Sequence, residues 1–331
     1  MPLGLYRFTG QTRSLDPLIA FPRRSGELGQ YERQRYHSSL RVLPARKRIF
    51  SAVLESVLVK KKWLAALSSA LMTPVTMAEV AISGSIRSGI EHTGSDWQVI
   101  DNDSRLRFQF SSDLADGQNA YMNYEFRVNA AQGSMVTGDK KLLSFIGVKG
   151  DWGSLSLGAQ WSTAFNTVGT FIDKSFWYGG SSLECVQYRM NHSVMFATSL
   201  GGLSLMADAQ MDTSGDSLDR ATVGGLVSAG RISFAAMYQS ADDNCLGVAG
   251  AITLGRLEIA GGFIGRESGP AGWDVNGSIQ NLWIDFSSSD NGGDAIVVSY
   301  TMKFRSGSEL VLEGSETPIR TRAGAFLRYD F

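Results

Sequence analysis

The sequence is poor in the residue types that build most metal and thiol sites. It contains two cysteines, Cys185 and Cys245, and three histidines among 331 residues. No CxxC pair or Cys/His cluster has the spacing of a zinc site, so no metal or other cofactor is predicted. An exported protein could oxidise the two cysteines to a disulfide. Because they fall in separate predicted strands, two unpaired thiols fit the sequence at least as well.

Long apolar runs are also missing from residues 79–331. A membrane-spanning helix needs about 20 apolar residues, and no stretch of this region approaches that length. A membrane protein with this sequence must therefore cross with strands, whose signal is the alternation of apolar and polar side chains.

Positive charge is concentrated near the start of the chain. Residues 1–78 contain 13 Lys and Arg against 4 Asp and Glu, whereas residues 79–331 contain 18 against 28. Three lysines open residues 60–78, an apolar stretch follows, and Thr76 and Ala78 are the small residues expected before a cleavage site. We predict that residues 60–78 are a secretory signal peptide. The alternative, a short transmembrane anchor, would need about 20 apolar residues.

Residues 1–59 precede this signal, are Arg-rich and show no periodic pattern. No Met lies between Met1 and Met72. We expect translation to start near Val57–Val59, so that residues 1–59 are not part of the native protein. The alternative is that they form an Arg-rich leader, such as an organelle transit sequence.

Alternation of apolar and polar side chains continues from residue 79 almost to the end of the chain. In one segment Met122, Tyr124 and Phe126 share a face, and Asn123 and Glu125 lie on the other. A soluble β-sandwich alternates in the same way. Strands of about 9–11 residues, and short turns that alternate with longer loops, favour an outer-membrane barrel.

Hydrocarbon offers no hydrogen-bond partners, so a spanning sheet must close on itself. Bacterial single-chain barrels have an even number of strands. Fifteen segments are clear in the sequence, and a hairpin hidden within residues 273–289 brings the count to sixteen, with fourteen as the alternative. The predicted fold is an all-β, closed, antiparallel transmembrane barrel. Short turns are predicted at residues 114–117, 150–153, 200–202 and 254–256, and longer loops at 92–102, 130–141, 162–184 and 212–218.

Three stretches resemble the general porins of Gram-negative bacteria. Residues 104–125 are similar to the family's second strand, first periplasmic turn and third strand, and residues 144–160 resemble the hairpin before its long third loop. Residues 327–331 end the chain on an aromatic side chain. The resemblance covers residues 79–331. It implies a passive diffusion channel for small hydrophilic solutes and ions in the outer membrane, a homotrimer, and a third loop folded into the barrel.

The resemblance also implies where the channel narrows. Residues 162–184 match the third loop, and its ionisable groups are Asp173, Lys174 and Glu184. Opposite charges across a narrow aqueous gap favour polar solutes. The opposing wall would present four arginines from the polar strand faces: Arg87, Arg105, Arg107 and Arg127.

Other interpretations of these groups remain open. Arg105 and Arg107 could instead pack structurally against Glu91 and Glu125, and Asp173 could pair with its neighbour Lys174. The sequence also departs from the family: residues 175–181 are aromatic where the family carries an acidic, Gly-rich stretch.

The end of the chain has a predicted structural role. Leu327, Tyr329 and Phe331 share one strand face, which places Tyr329 and Phe331 in the aromatic girdle of a barrel-closing strand.

Two other functions were weighed against a channel. An outer-membrane lipase needs a nucleophile and a base, yet His92, in a predicted loop, and His192, on an apolar face, neighbour no recognisable Ser motif. A barrel plugged by its own side chains, acting as an adhesin or scaffold, is an alternative that the sequence leaves open. The resemblance to porins implies a non-enzymatic channel surrounded by lipid, and residues 79–331 contain no basic patch that indicates a nucleic-acid partner. The excess of carboxylates after residue 78 predicts a weak cation preference.

Overall fold

The computed structural model describes residues 79–135, 143–179, 185, 187–211, 218–305 and 307–331. The predicted signal peptide at residues 60–78 and the preceding residues 1–59 lie outside this range. Within it, none of the helices has the length and apolar character that crossing a bilayer requires.

The described residues form eighteen strand segments. Their bounds are β1 Glu79–Thr93, β2 Asp96–Asp101, β3 Arg105–Asp113, β4 Asn119–Asn129, β5 Ser134–Met135, β6 Ser144–Gly150, β7 Gly153–Trp161, β8 Arg189–Leu200, β9 Leu203–Met211, β10 Leu218–Ala229, β11 Ile232–Ser240, β12 Cys245–Leu254, β13 Leu257–Arg266, β14 Ala271–Ile279, β15 Leu282–Ser289, β16 Gly293–Lys303, β17 Ser308–Thr317 and β18 Arg320–Asp330.

These segments make sixteen barrel strands across the described ranges. β2 and β3 both pair with β1 and form one strand interrupted at residues 102–104, whereas β5 pairs only with β4. Every pairing is antiparallel, and β18 closes the sheet by pairing with β1 from Ser85 opposite Asp330 onward. The hairpin expected within residues 273–289 is present, since Ile279 pairs with Leu282. The predicted fold and strand number are confirmed.

The connections alternate in length around the barrel. The predicted short turns lie at one end, where Leu200 pairs with Leu203 and Leu254 pairs with Leu257. The predicted long loop at residues 92–102 is wrong. β1 continues to Thr93, which pairs with Asp96 across a tight turn, and His92 therefore lies in a strand.

The two faces of the barrel differ as the alternation predicts. Ile82 and Ile90 of β1 are 60% and 51% exposed and point outward, where lipid would cover them. Glu125 and Asn123 of β4 are buried on the opposite, inward face. The apolar exterior and polar interior therefore follow directly from the period of two.

The interior is not polar throughout. The segment between β7 and β8, residues 162–188 apart from 180–184 and 186, is called L3 here. It begins with a π-helical turn, Phe165–Gly169, and an α-helical turn, Thr170–Ile172. Val168 and Ile172 of these turns pack against inward-facing apolar side chains of β11, β12 and β13. The apolar patch in the wall comprises Ala235, Met237, Cys245, Ala249, Ala260 and Ile264.

Candidate functional site

The first part of L3 is anchored to the inner wall by hydrogen bonds as well as apolar contacts. The carboxylate of Asp208 in β9 accepts the backbone N–H of Thr163, and within L3 the hydroxyl of Ser162 accepts the backbone N–H of Phe165 at 3.0 Å. At the end of the helical turns, Asn276 of β14 donates to the carbonyl of Phe171 at 2.8 Å. The bonds to Asp208 and Asn276, together with the apolar contacts, fix L3 to several strands of the wall.

The aromatic stretch of L3 is held by one carboxylate. Glu313 on the inner face of β17 accepts the backbone N–H groups of Phe176, Trp177 and Tyr178 at 2.8, 2.7 and 2.7 Å. Hydrogen bonds to a charged acceptor are stronger than neutral ones. The acidic group that the family carries in this loop is absent from residues 175–179, and the carboxylate that organises the same stretch comes from the barrel.

The rings of this stretch pack on the neighbouring strands. Tyr178 is buried against Val297 of β16, Val311 of β17 and Phe326 of β18. The ring centroids of Phe176 and Phe326 are 5.6 Å apart. L3 therefore contacts the inner wall on both β11–β13 and β16–β18.

Two of the four predicted arginines share one buried carboxylate. Arg107 donates through Nε to Glu125 at 3.0 Å, and Arg105 donates through a terminal nitrogen to the other oxygen at 3.4 Å. The Glu125 side chain is fully buried, whereas those of Arg105 and Arg107 are 13% and 33% exposed. Packing against Glu125, the alternative left open by the sequence, is therefore present together with partial exposure to the interior.

The other two arginines lie beside this pair. Arg127 of β4 forms an ion pair with Asp103, whose carboxylate also lies 3.9 Å from Arg105. Arg87 of β1 stacks over the ring of Phe176, with its guanidinium carbon 5.9 Å from the ring centroid. All four predicted arginines are thus brought to adjoining strands on the inner face.

Two of the three ionisable residues predicted in L3, Asp173 and Lys174, are described by the structure, and they have different partners. Lys174 forms an ion pair with Glu258 of β13, not with Asp173. Burial raises the pKa of Asp173, and the positive charge of Arg189 opposes that shift. Asp173 also interacts electrostatically with Asp274 on the inner face of β14. The third predicted residue, Glu184, lies outside the described residues.

The cysteines form a disulfide, which decides between the two alternatives that the sequence left open and corrects the strand placement of Cys185. Cys185 lies in L3, and its sulfur is bonded to that of Cys245 at the start of β12. The two Cα atoms are 6.2 Å apart, within the range of protein disulfides. The bond ties the end of L3 to the wall against which its helical turns pack.

The predicted C-terminal aromatics lie on the outer face of the closing strand. The rings of Tyr329 and Phe331 stack with centroids 6.4 Å apart. Phe331 extends the pairing of β18 with β1, because its carbonyl accepts the N–H of Gly84 at 3.0 Å and its N–H donates to the carbonyl of Gly84 at 3.2 Å.

Three inward-facing residues were missed by the sequence analysis. Arg189, at the start of β8, lies over the ring of Trp161 with 4.3 Å between the guanidinium carbon and the ring centroid. Arg328 of β18 forms ion pairs with Glu309 and Asp330, and Glu313 holds L3. Alternation with Leu327 and Tyr329 indicates the direction of Arg328, but no local signal gives its partners.

Among the residues that the structure describes, no group of His, Cys, Asp and Glu is arranged to hold a metal ion. The site is instead a set of charged and aromatic side chains on the inner face and L3. Arginines are gathered on β1, β3, β4 and β8, whereas Asp173, Asp274 and Glu258 belong to L3, β14 and β13.

Comparisons with solved structures place this architecture among bacterial outer-membrane proteins. OmpT of Vibrio cholerae in its trimer form matches with a TM-score of 0.63 and 14% identity, covering 77% of this chain and 100% of its own. An anion-selective porin from Comamonas acidovorans matches with a TM-score of 0.65 and 12% identity over 77% and 100% of the two chains. OmpF of Salmonella typhi, solved with daunomycin, gives a TM-score of 0.61 and 14% identity over 78% and 100%. At these identities the likeness concerns the fold.

No curated protein sequence matches the chain. The sequence model that describes Gram-negative porins matches residues 64–304, which is well over half of the chain. With the closed sixteen-strand barrel and its charged inner face, this match shows that the chain belongs to the Gram-negative porin family.

Proposed function

We propose that the protein is a passive diffusion channel through which small hydrophilic solutes and ions cross the outer membrane. The observation that carries the proposal is the partial exposure of charged side chains on the inner face. Arg107 and Arg127 are 33% and 28% exposed although both lie inside a closed barrel. Charged groups retain such exposure only where water reaches them. A water-filled interior argues against a barrel plugged by its own side chains, and passive diffusion requires no catalytic group.

L3 forms the constriction in this proposal. Its contacts with β11–β13 and β16–β18 support a path across the lumen, which leaves the remaining opening beside the arginines of β1, β3 and β4. The predicted channel-lining groups are Arg87, Arg105, Arg107, Arg127, Asp173, Lys174 and Glu184. Charges of both signs along one opening orient water and favour polar over apolar solutes.

Liposome swelling tests the channel. Liposomes that contain the refolded barrel should swell in sugars, and the rate should fall as the sugar grows from a pentose to a trisaccharide. Protein-free liposomes are the control, and circular dichroism establishes that the barrel is folded. A folded barrel that admits none of the sugars would show that it is not a general diffusion channel.

We also propose a weak cation preference, supported by 28 Asp and Glu against 18 Lys and Arg in residues 79–331. Fixed charges act on an ion only within about 8–10 Å at physiological salt. The reversal potential in a KCl gradient measures the preference. A reversal potential of the anionic sign would show that the arginines beside L3 outweigh the carboxylates.

Export and assembly complete the proposal. Residues 60–78 would direct secretion and be removed before Glu79, which N-terminal sequencing of the membrane protein tests.

A homotrimer is supported by the fold shared with OmpT of Vibrio cholerae, whose structure is described as a trimer form. Light scattering of the detergent-solubilised protein would give the mass of three chains, and the mass of one chain would overturn this part.

A further inference from the structure

We propose that the interior contains a binding subsite for small hydroxylated carboxylates of the sugar-acid class. The inference rests on the proposed function to the extent that such solutes must enter the lumen. Its basis is a cavity of about 380 Å³ between L3 and the inner faces of β1, β15, β16 and β18. That volume lies within the usual range of small-molecule sites, which is about 300–1,000 Å³.

The cavity is lined by positive charge. Arg87, Lys174 and Arg328 contribute to its wall, and none of its lining residues is acidic. A cavity with three cations and no carboxylate on its described surface attracts an anion. The ligand therefore carries at least one negative charge.

The three cations differ in how far the protein neutralises them. Lys174 is paired with Glu258, and Arg328 is paired with Glu309 and Asp330. Within the described part of the chain, no carboxylate lies within ion-pair distance of Arg87, although the charges of Asp103 and Asp330 act on it electrostatically. Its Nε donates to the hydroxyl of Ser85 at 3.1 Å. Arg87 is therefore the cation available to bind a carboxylate, through the planar fork that suits two carboxylate oxygens.

Aromatic and hydroxyl groups complete the lining. Phe176 and Trp283 supply flat apolar surfaces, and the hydroxyls of Ser175, Ser299 and Thr301 supply donors and acceptors. Phe176 is held in place by its backbone hydrogen bond to Glu313 and by packing on Phe326. An aromatic surface covers the C–H face of a sugar ring, while hydroxyls bond its rim.

These three kinds of group select one chemical class. A neutral sugar leaves Arg87 without a carboxylate, and a small carboxylate such as acetate makes no use of the rings and hydroxyls. An aromatic carboxylate such as benzoate satisfies the cation and the rings but forms no hydrogen bonds with the serine and threonine hydroxyls. A pyranose that bears a carboxylate, such as glucuronate, engages all of them.

Binding is measured on the refolded full barrel in detergent by isothermal titration calorimetry with sodium glucuronate, glucose, acetate and benzoate. Glucuronate should bind at least tenfold more tightly than each of the other three. Arg87→Gln should weaken glucuronate binding at least tenfold, and Trp283→Leu should weaken glucuronate binding while leaving acetate binding unchanged. Arg231→Gln, at the exposed turn after β10, is the matched control and should bind as the wild type does.

Several results would overturn the subsite: no glucuronate binding at about 10 mM, equal binding of glucose or benzoate, or undiminished binding by folded Arg87→Gln. Arg87→Lys keeps the charge and should retain more binding than Arg87→Gln, which guards against a folding defect in the latter. Swelling in glucose separates the two proposals. Swelling without glucuronate binding overturns the subsite alone, and binding without swelling overturns the channel alone.

Discussion

Glu313 and Tyr178 are 135 positions apart in the chain, and the carboxylate of the first accepts the backbone N–H of the second at 2.7 Å. With the N–H groups of Phe176 and Trp177 this makes three hydrogen bonds to one inward-facing carboxylate. The position of the aromatic part of L3 thus depends on a residue of the wall.

The carboxylate of Glu313 should be required for a narrow channel with low current noise. Glu313→Gln removes the charge and weakens hydrogen bonds that contribute about 1.5–3 kcal/mol each when one partner is ionised. We expect larger single-channel conductance and more current noise in planar bilayers. Glu316→Gln, on the exposed face of the same strand, is the control. Unchanged conductance and noise in the Glu313→Gln variant would show that L3 stays in place without this charge.

The disulfide should stabilise the barrel. Cys185 and Cys245 close a loop with a sequence separation of 60 residues, for which the chain-entropy relation gives about 4 kcal/mol as an upper figure. Cys185→Ala/Cys245→Ala should lower the free energy of urea unfolding in lipid vesicles by up to that amount. Each single Ala variant, and the reduced wild type, should lose as much. Equal stability of oxidised and reduced protein would contradict the expectation.

Glu125 should affect both stability and selectivity. Removing one partner of a buried charge pair costs about 3–5 kcal/mol, and Glu125→Gln leaves Arg105 and Arg107 without their shared carboxylate. We expect a lower free energy of unfolding and a reversal potential shifted toward anions. Arg105→Gln should shift the reversal potential in the opposite direction. Shifts of the same sign in both variants would exclude a direct electrostatic effect.

The proposed cation preference should decrease on acidification because of Asp173. Burial raises the pKa of this carboxyl above its ordinary value of about 3.9, so it takes up a proton at a higher pH than an exposed Asp. At a pH between the ordinary pKa of the unfolded state and the raised pKa of the folded state, the folded protein binds more protons than the unfolded protein. Asp173 therefore contributes stability at low pH, and this contribution is lost as the pH rises through the raised pKa. Reversal potentials measured between pH 7 and pH 4 should change less in Asp173→Asn than in the wild type. An identical pH dependence in both proteins would count against this role.

Closure of the barrel should depend on the absence of a side chain at Gly84. A Cβ there would lie 2.5 Å from the carbonyl oxygen of Arg105 and 2.7 Å from the ring of Phe331. Gly84→Ala should lower the free energy of unfolding by about 1–3 kcal/mol, the usual cost of overpacking. Gly314→Ala is the matched control, since its nearest contact would be an ordinary 3.7 Å. Equal stability of the two variants would show that the seam between β1 and β18 can shift to make room.

Some errors of the sequence analysis have local physical causes. The polar residues after His92 suggested a long loop, yet Gly94 adopts the positive φ of 64° that a tight turn requires. Ala235 and Met237 are apolar although they face inward, because alternation indicates the direction of a side chain and not its environment. Their apolar character is explained only by L3, which buries both.

The sequence by itself determined the class of fold, because the lack of long apolar runs after residue 78 and a period of two leave a membrane protein few alternatives to a closed barrel. It also determined which side chains face inward, including Arg87, Arg105, Arg107 and Arg127, since direction is a local property of a strand. Only the tertiary structure decided which groups meet: Glu313 with the backbone of L3, Lys174 with Glu258, and Cys185 with Cys245. Such contacts join positions far apart in the chain, and their partners are fixed by strand register and by the path of L3, which no local pattern encodes.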